Sequence, residues 1–323
     1  MTRLAARVLL ATDGSQLAAR AHEAALFWAK ACHAELDILS VLEAPPGMDP
    51  DYQVNQVYLD QLQKEAGKVV DRVEADARRG GVTARARILR GIPAPQINDT
   101  ARELKSDLIV MGTRGRTGLA HVLLGSTAEG VVRGAPCPVL TVRSAPDKGT
   151  PAPDIRVTRL LVPVDFSDCS LEAMEYAVQA AKVFGAAVAI LHVIEPASYG
   201  LDFTLSHKGD VQRTTEAVDR RLGEFTALLK GQGLSVQHQV RSGAPGDAIV
   251  DAARAVEADL IVMWTHGRRG FSHLVSGSVA EAVLRQAPCP VLTVKSPKFG
   301  PGHARVMPAA AGHGSEGGKE KRP

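Results

Sequence analysis

The chain has 323 residues, of which 45% are hydrophobic and 23% charged, a composition that supports two sizeable cores and excludes a largely disordered protein. Its 38 lysines and arginines nearly balance 35 acidic residues and are scattered along the sequence, which argues against nucleic acid as a partner. No run reaches the roughly 18 apolar residues of a membrane span, and the four cysteines lack metal or redox spacing. We therefore expect a cytoplasmic protein without a membrane partner.

The first half of the chain alternates short apolar runs with longer helical segments. Strands are predicted at residues 7–12, 36–42, 82–89, 107–111 and 138–142. Helices are predicted between them, up to residue 33, at 54–79, at 95–105 and from 126 onward. Strands that are apolar throughout and alternate with helices indicate βαβ units around a parallel sheet with both faces covered. The pattern predicts a doubly wound, five-stranded α/β domain.

This unit occurs twice. Residues 107–141 reappear in similar form at 259–293, and Asp13 and Cys137 correspond to Asp165 and Cys289, in each case 152 residues later. The sequence therefore predicts one domain at residues 1–143 and a second at 157–296. The Pro- and Gly-rich segment 144–156 is predicted to link them, and residues 297–323, which have little to bury, are predicted to form a disordered tail.

Two segments of each unit carry the features of a ligand site. Ligands of open α/β sheets bind beyond the carboxyl ends of the strands, where the strand order reverses. The turn after the first strand contains Asp13, which is suited to hydrogen bonding a ribose or holding a metal ion, or alternatively to a purely structural turn. Ser15 and its counterpart Ser167 are predicted to cap the following helices.

The loop after the fourth strand is rich in glycine and ends at a helix. Glycines allow the backbone to approach a phosphate, and a helix that begins with serine offers a hydroxyl beside free N–H groups. The loop lacks the GK[ST] ending of a Walker A loop, and it follows the fourth strand rather than the first, unlike the dinucleotide motif. It is interpreted as an anion cradle, with a purely structural loop as the alternative. Its residues are Gly112, Arg114, Gly115, Arg116, Gly125, Ser126 and Thr127.

The segments ATDGS, DLIVMGTRGRTG and GSTAEGVVRGAPCPVLTV resemble the universal stress protein family. Nucleotide-binding members carry the frame Gly-x₂-Gly-x₉-Gly-Ser/Thr, which Gly112, Gly115, Gly125 and Ser126 match. The resemblance covers residues 5–143 and 157–295, so the chain is similar to tandem members of the family. It implies two Rossmann-like domains of the adenine nucleotide alpha hydrolase type. Because family members pair through the fifth strand, it also implies an internal pseudo-dimer and leaves a homodimer open.

The resemblance further implies an adenine nucleotide, ATP, alone or with Mg²⁺ or Mn²⁺. Asp13 and Gly112 would face the ribose, the backbone around Val41 the adenine, and the end of the glycine loop the phosphates. In the first unit the implied binding residues are Ala11, Thr12, Asp13, Val41, Met111, Gly112, Arg114, Gly115, Gly125, Ser126 and Thr127. In the second unit they are Asp165, Val193, Gly267, Gly277 and Ser278.

The resulting functional hypothesis is an ATP-binding stress-response module in which nucleotide controls conformation or partner choice. A weak ATPase or phosphotransferase is one alternative, although no catalytic residue or arginine finger is identified by motif. A nucleotide-free scaffold that binds another small ligand is the other. Trp264 replaces the first glycine of the frame in the second unit, and we therefore expect the first unit to bind nucleotide better.

Overall fold

The computed structural model describes residues 4–15, 18–44, 47–48, 52–113, 124–143, 155–195, 207–265, 278–295 and 306–307. The first unit contains β1 (Arg7–Ala11), α1 (Ala19–Cys32), β2 (Glu35–Leu42), α2 (Gln53–Arg79), β3 (Ala84–Arg90), α3 (Pro93–Glu103), β4 (Leu108–Gly112), α4 (Ser126–Gly134) and β5 (Val139–Val142). The second contains β6 (Arg159–Pro163), α5 (Asp168–Phe184), β7 (Ala187–Ile194), α6 (His207–Lys230), β8 (Val236–Ser242), α7 (Pro245–Ala255), β9 (Leu260–Trp264), α8 (Ser278–Gln286) and β10 (Val291–Val294).

All ten strands form one sheet in the order β3-β2-β1-β4-β5-β10-β9-β6-β7-β8. Every neighbouring pair is parallel except β5 and β10, which are antiparallel. Each unit is therefore a five-stranded, doubly wound parallel sheet, and the units join at their fifth strands. This confirms the predicted fold class and the internal pseudo-dimer.

Helices cover both faces of the sheet. Along β1, Val8 and Leu10 belong to a core cluster that includes residues of α1 and α2, while Leu9 and Ala11 belong to a cluster with α3 and α4. The strands are apolar throughout because successive side chains enter opposite layers and both layers are buried. No helix in the described ranges has the length and apolarity needed to cross a membrane.

The join between the units has local twofold symmetry. Leu140 of β5 pairs with Leu292 of β10, its equivalent in the repeat. The Thr141 hydroxyl donates to the Val291 carbonyl at 3.1 Å, and the Thr293 hydroxyl donates to the Val139 carbonyl at 3.2 Å. These reciprocal side-chain bonds supplement the short backbone ladder, so the two sheets continue into each other.

Aromatic side chains fasten the two units on one face of the joined sheet. Phe184 of α5 stacks on Phe27 of α1 with 5.5 Å between ring centroids. Its ring also meets Trp28 edge-on at 4.9 Å, and Trp28 is fully buried. Stacked and edge-to-face rings add to the burial of apolar area. The symmetry of the strands does not extend to these helices, because Trp28 corresponds to Ala180 in the repeat.

Two residues from the segment predicted to be a disordered tail lie against the second unit. The Glu175 carboxylate, on α5, accepts hydrogen bonds from the backbone N–H groups of Val306 and Met307 at 3.0 and 2.9 Å. Met307 is buried in the same core cluster as α5. A buried carboxylate is costly unless it is hydrogen bonded, and these two residues supply such bonds.

Candidate functional site

In the first unit the two predicted segments meet at one edge of the sheet. β1 and β4 are parallel neighbours, and Ala11 at the end of β1 pairs with Met111. The strand order reverses here, since β1 continues to β2 on one side and β4 to β5 on the other. Because parallel strands end at the same edge, the Asp13 turn and the residues after Gly112 emerge side by side.

The edge is extended on both sides of this pair. The Thr12 N–H donates to the Leu39 carbonyl of β2 at 2.9 Å, which brings half-buried Val41 to the same edge. On the other side, the Gly125 N–H donates to the Thr113 carbonyl at 2.9 Å, so α4 begins beside the end of β4. The structure thus brings the described first-unit site residues to one edge: Ala11, Thr12, Asp13, Val41, Met111, Gly112, Gly125, Ser126 and Thr127. Arg114, Gly115 and Arg116 lie outside the described residues.

The turn after β1 is tight, and two of its polar side-chain atoms make no hydrogen bond with the described residues. The Ser15 N–H donates to Asp13 Oδ1 at 3.0 Å, and Gly14 has a φ of 75°, which suits glycine. Asp13 Oδ2 and Ser15 Oγ are buried and have no hydrogen-bond partner within the described ranges. One Asp13 oxygen therefore shapes the turn, while the other remains as an acceptor. The prediction that Ser15 caps α1 is wrong, because α1 begins at Ala19 with Ala18 as its N-cap residue.

A histidine that sequence reasoning did not select supports this turn. Nε2 of His22, on α1, lies 2.7 Å from the Thr12 hydroxyl oxygen, which also accepts a hydrogen bond from the Gly14 N–H at 3.1 Å. Burial lowers the pKa of His22, against the opposing effect of the Asp13, Glu23 and Asp76 carboxylates. A neutral His22 with Nε2 unprotonated accepts a hydrogen bond from the Thr12 hydroxyl, and this completes the chain of hydrogen bonds. In the sequence, His22 is marked only by its place near the start of α1.

The N-terminus of α4 has the features of an anion site. Its N-cap residue is Gly125, which has no side chain to cap the first N–H groups, and Ser126 is exposed. The first N–H groups of a helix lack intrahelical partners and lie at the positive end of its dipole. Together with Asp13 Oδ2 and the Ser15 hydroxyl, this edge fits a ligand that combines hydroxyl groups with phosphate. The described residues contain no group of three or more metal-ligating side chains.

The corresponding turn of the second unit uses its polar atoms internally. Asp165 Oδ1 accepts bonds from the Ser167 N–H at 3.0 Å and from the Ser167 hydroxyl at 2.5 Å. Ser167 Oγ in turn accepts a bond from the Ser170 N–H at 3.2 Å and caps α5, as predicted. Ser278 is exposed at the start of α8, and Val193 is half-buried on β7. Gly267 and Gly277 lie outside the described residues.

The strand ends of the second unit also differ. β6 and β9 are paired at two positions, whereas β1 and β4 are paired at four. Pro163 stands where the first unit has Ala11. Proline has no N–H to donate, so it cannot continue the ladder toward β9. Trp264 ends β9 in place of Gly112, and its indole is half-buried against the core cluster of α5 and α6.

The fold defines a tandem of doubly wound α/β domains joined at their fifth strands, with a polar strand-end edge in the first. Residues 5–143 and 156–295 match the model of the Universal stress protein family, and the chain belongs to that family.

Relatives support this assignment for single units and for the pair. A universal stress protein of Thermus aquaticus is 41% identical over 139 residues, which are 42% of this chain and 97% of the relative. One from Methanocaldococcus jannaschii is 37% identical over 138 residues, covering 42% of this chain and 81% of the relative. The crystal structure of a universal stress protein from Archaeoglobus fulgidus aligns with 91% of this chain and 97% of its own, at 26% identity and a TM-score of 0.66.

Proposed function

We propose that the first unit binds an adenine nucleotide, ATP, and that binding controls the conformation or partner choice of the chain in a cytoplasmic stress response. The observation that carries the proposal is the pair of buried polar atoms, Asp13 Oδ2 and Ser15 Oγ, without partners within the described ranges. They lie where the strand order reverses, which is where open α/β sheets bind their ligands. Buried polar groups are normally paired, so these two atoms favour a polar ligand at this edge.

The chemistry of the edge suits the parts of a nucleotide. Asp13 Oδ2 would accept hydrogen bonds from the ribose hydroxyls, and the backbone around Val41 would meet the base. The N–H groups at the start of α4, with Ser126 and Thr127, would hold phosphate oxygens, and the proposal assigns Arg114 and Gly115 to the same phosphates. A bound Mg²⁺ or Mn²⁺ would take its ligands mainly from the phosphates and water, since the described residues hold no metal cluster.

The test begins with the small molecules that the purified protein carries. Mass spectrometry after denaturation should find an adenine nucleotide, and calorimetric titration of nucleotide-free protein should show ATP binding. Asp13→Ala should weaken ATP binding by at least about tenfold, because hydrogen bonds to a charged group contribute about 1.5–3 kcal/mol. The matched variant Asp165→Ala changes the equivalent aspartate and should leave the affinity unchanged.

Two results would contradict the proposal. If wild-type protein carries no nucleotide and binds no added ATP, the first unit has a different ligand or serves as a scaffold. If Asp13→Ala binds ATP as tightly as wild type while remaining folded, the buried polar pair is not part of the site.

A further inference from the structure

At its strand-end edge, the second unit carries rings where the first unit has glycines. Phe166 corresponds to Gly14 and Trp264 to Gly112, each 152 residues later. Phe166 has a φ of 62°, so it keeps the left-handed turn that Gly14 makes with a φ of 75°. Such a backbone is unfavourable for a bulky residue and persists only where the surroundings hold it in place. The contacts of the Phe166 ring supply those surroundings.

The ring of Phe166 is enclosed by groups of the second unit. The ring of His192, on β7, stacks on it with 4.8 Å between centroids and an angle of 28° between planes. The Arg221 guanidinium carbon lies 4.2 Å from the Phe166 centroid, and Phe225 meets the ring edge-on at 6.0 Å. His192 is itself fixed, because its Nδ1 lies 2.7 Å from the Val164 carbonyl oxygen. We call these four residues the Phe166 stack: Phe166, His192, Arg221 and Phe225.

The first unit has small residues at every position of the stack. Ser40, Val69 and Val73 correspond to His192, Arg221 and Phe225. Val69 lies so close to the turn that a Cβ placed on Gly14 would come within 3.0 Å of its Cγ2 atom. The four positions therefore form one coordinated difference: a compact turn against α2 in the first unit, and an aromatic stack against α6 in the second.

The polar groups of the Asp13 and Asp165 turns also differ, and again the second unit leaves less room for a ligand. In the first unit Asp13 Oδ2 and Ser15 Oγ lack partners within the described ranges. In the second, Ser167 Oγ donates to Asp165 and accepts from the Ser170 N–H. The serine hydroxyl that the first unit leaves for a ligand is thus engaged internally in the second. This observation is independent of the rings.

We propose that the Phe166 stack and Trp264 take the place of a nucleotide in the second unit, so that the chain binds one adenine nucleotide, in the first unit only. This inference rests on the proposed function of the first unit. It adds a division of roles: the first unit responds to nucleotide, while the second keeps one conformation with or without it. The residues that exclude nucleotide are those of the Phe166 stack and Trp264, because they fill the strand-end edge.

The test is the stoichiometry of ATP binding, measured by calorimetry with Mg²⁺ present. At ATP concentrations that just saturate wild type, wild type and Asp165→Ala should each bind about one ATP per chain, and Asp13→Ala should bind well below one because its affinity is at least about tenfold lower. Two ATP per chain in wild type, reduced to about one by Asp13→Ala, would overturn this inference and leave the proposed function standing. No binding by wild type would overturn the proposed function and this inference with it.

Tryptophan fluorescence provides a second measurement, which reports directly on nucleotide at the second unit. The chain has two tryptophans, so Trp28→Phe leaves Trp264 as the sole indole reporter on the second unit. Its emission should stay constant when ATP is added to the Asp13→Ala/Trp28→Phe variant. A saturable change in emission would show nucleotide at the second edge and overturn the inference.

A further variant replaces the bulky residues at the strand-end edge of the second unit by their smaller counterparts from the first. Phe166→Gly, His192→Ser, Arg221→Val and Trp264→Gly, combined in the Asp13→Ala background, install the residues of the first unit. If this variant folds, as judged by circular dichroism, it should bind ATP more tightly than the Asp13→Ala parent, because the opened second unit supplies a new site. A folded variant that binds ATP no more tightly than this parent would show that these side chains are not what excludes the nucleotide.

Discussion

Helix α1 presents one side to solvent, whereas its counterpart α5 is enclosed on nearly every side. Six of the 14 residues of α1 are buried, compared with ten of the 17 of α5. Glu23 and Glu175 hold the same position in the repeat, yet the Glu23 side chain is 55% exposed and paired with Arg20, while Glu175 is fully buried beneath Val306 and Met307. The repeat fixes how each helix packs on the sheet, but residues outside the repeat determine what covers its outer side.

Removing the carboxylate at these two positions should give the largest difference between the units. Glu175→Ala leaves two backbone N–H groups without their charged acceptor, and we expect a loss of about 2–3 kcal/mol in the free energy of unfolding. Glu23→Ala removes an exposed ion pair and should cost less than about 0.5 kcal/mol. Denaturant titration measures both, and hydrogen exchange at Met307 reports whether the tail is released.

These measurements show whether the contact of Val306 and Met307 with Glu175 contributes to the stability of the protein. Equal, small effects of Glu175→Ala and Glu23→Ala would mean that Val306 and Met307 contribute nothing to stability. A chain ended after Lys295 is the independent check, since it should lose as much stability as Glu175→Ala.

The helix pairs on the opposite face of the sheet also differ between the two units. Where α3 crosses α4, Ala94 meets Gly130, and a Cβ on that glycine would lie 2.7 Å from the Ala94 Cβ. Where α7 crosses α8, the residues are exchanged, and a Cβ on Gly246 would lie 2.7 Å from the Ala282 Cβ. Each crossing therefore has room for one methyl group but not for two. In the first unit the glycine lies on the second helix of the pair, and in the second unit it lies on the first.

Adding the second methyl should destabilise either unit by a moderate amount. Gly130→Ala and Gly246→Ala each overpack a crossing, at a cost of about 1–3 kcal/mol, offset by about 1 kcal/mol of helix propensity. We expect a net loss of about 1 kcal/mol for each in denaturant titration. Gly67→Ala on α2 is the matched control. No atom of the described residues lies within 4 Å of its added Cβ, so this change should stabilise the protein.

A reciprocal exchange sharpens this prediction. Adding Ala94→Gly to Gly130→Ala transfers the arrangement of the second unit to the first, and it should recover part of the loss because the clash is removed. If the single glycine variants are as stable as wild type, the helices can separate without cost and the crossings are not close-packed.

Much of the fold was predictable because its signals are local. Apolar runs and their separation predicted the five strands of the first unit, and the repeat extended them to the second. The join through the fifth strands was predicted only from the resemblance to the family. The start of α3 at Pro93 shows the limit of such signals, since the sequence placed it two residues later. Proline is favoured at the first position of a helix.

The remainder depends on contacts between distant segments. Val306 reaches Glu175 across 131 residues, and no periodicity in a Gly- and Pro-rich tail indicates that contact. Of the site, the glycines and Asp13 stand out as a motif, and so does the substitution by Trp264. The left-handed backbone of Phe166 does not, because it is held by His192 and by the side chains of α6.

The smallest expected effect concerns the support of the Asp13 turn. The first unit has Thr12 bonded to His22, whereas Val164 and Met174 stand at these positions in the second. Burial lowers the pKa of His22 from its ordinary value of 6.5, so folding favours the neutral ring. The stability contributed by neutral His22 is complete above pH 6.5. It declines as the pH falls from 6.5 toward the lower pKa of the folded state.

His22→Met, which installs the residue of the second unit, should remove this dependence. We expect the unfolding free energy of wild type to fall relative to that of His22→Met between pH 7.5 and 5.5, since a protonated Nε2 can no longer accept a hydrogen bond from the Thr12 hydroxyl. The Asp13, Glu23 and Asp76 carboxylates oppose the effect by favouring the charged ring, and for this reason it should be small. A difference between the two proteins that stays constant over this range would show that His22 keeps its ordinary pKa and does not couple the turn to pH.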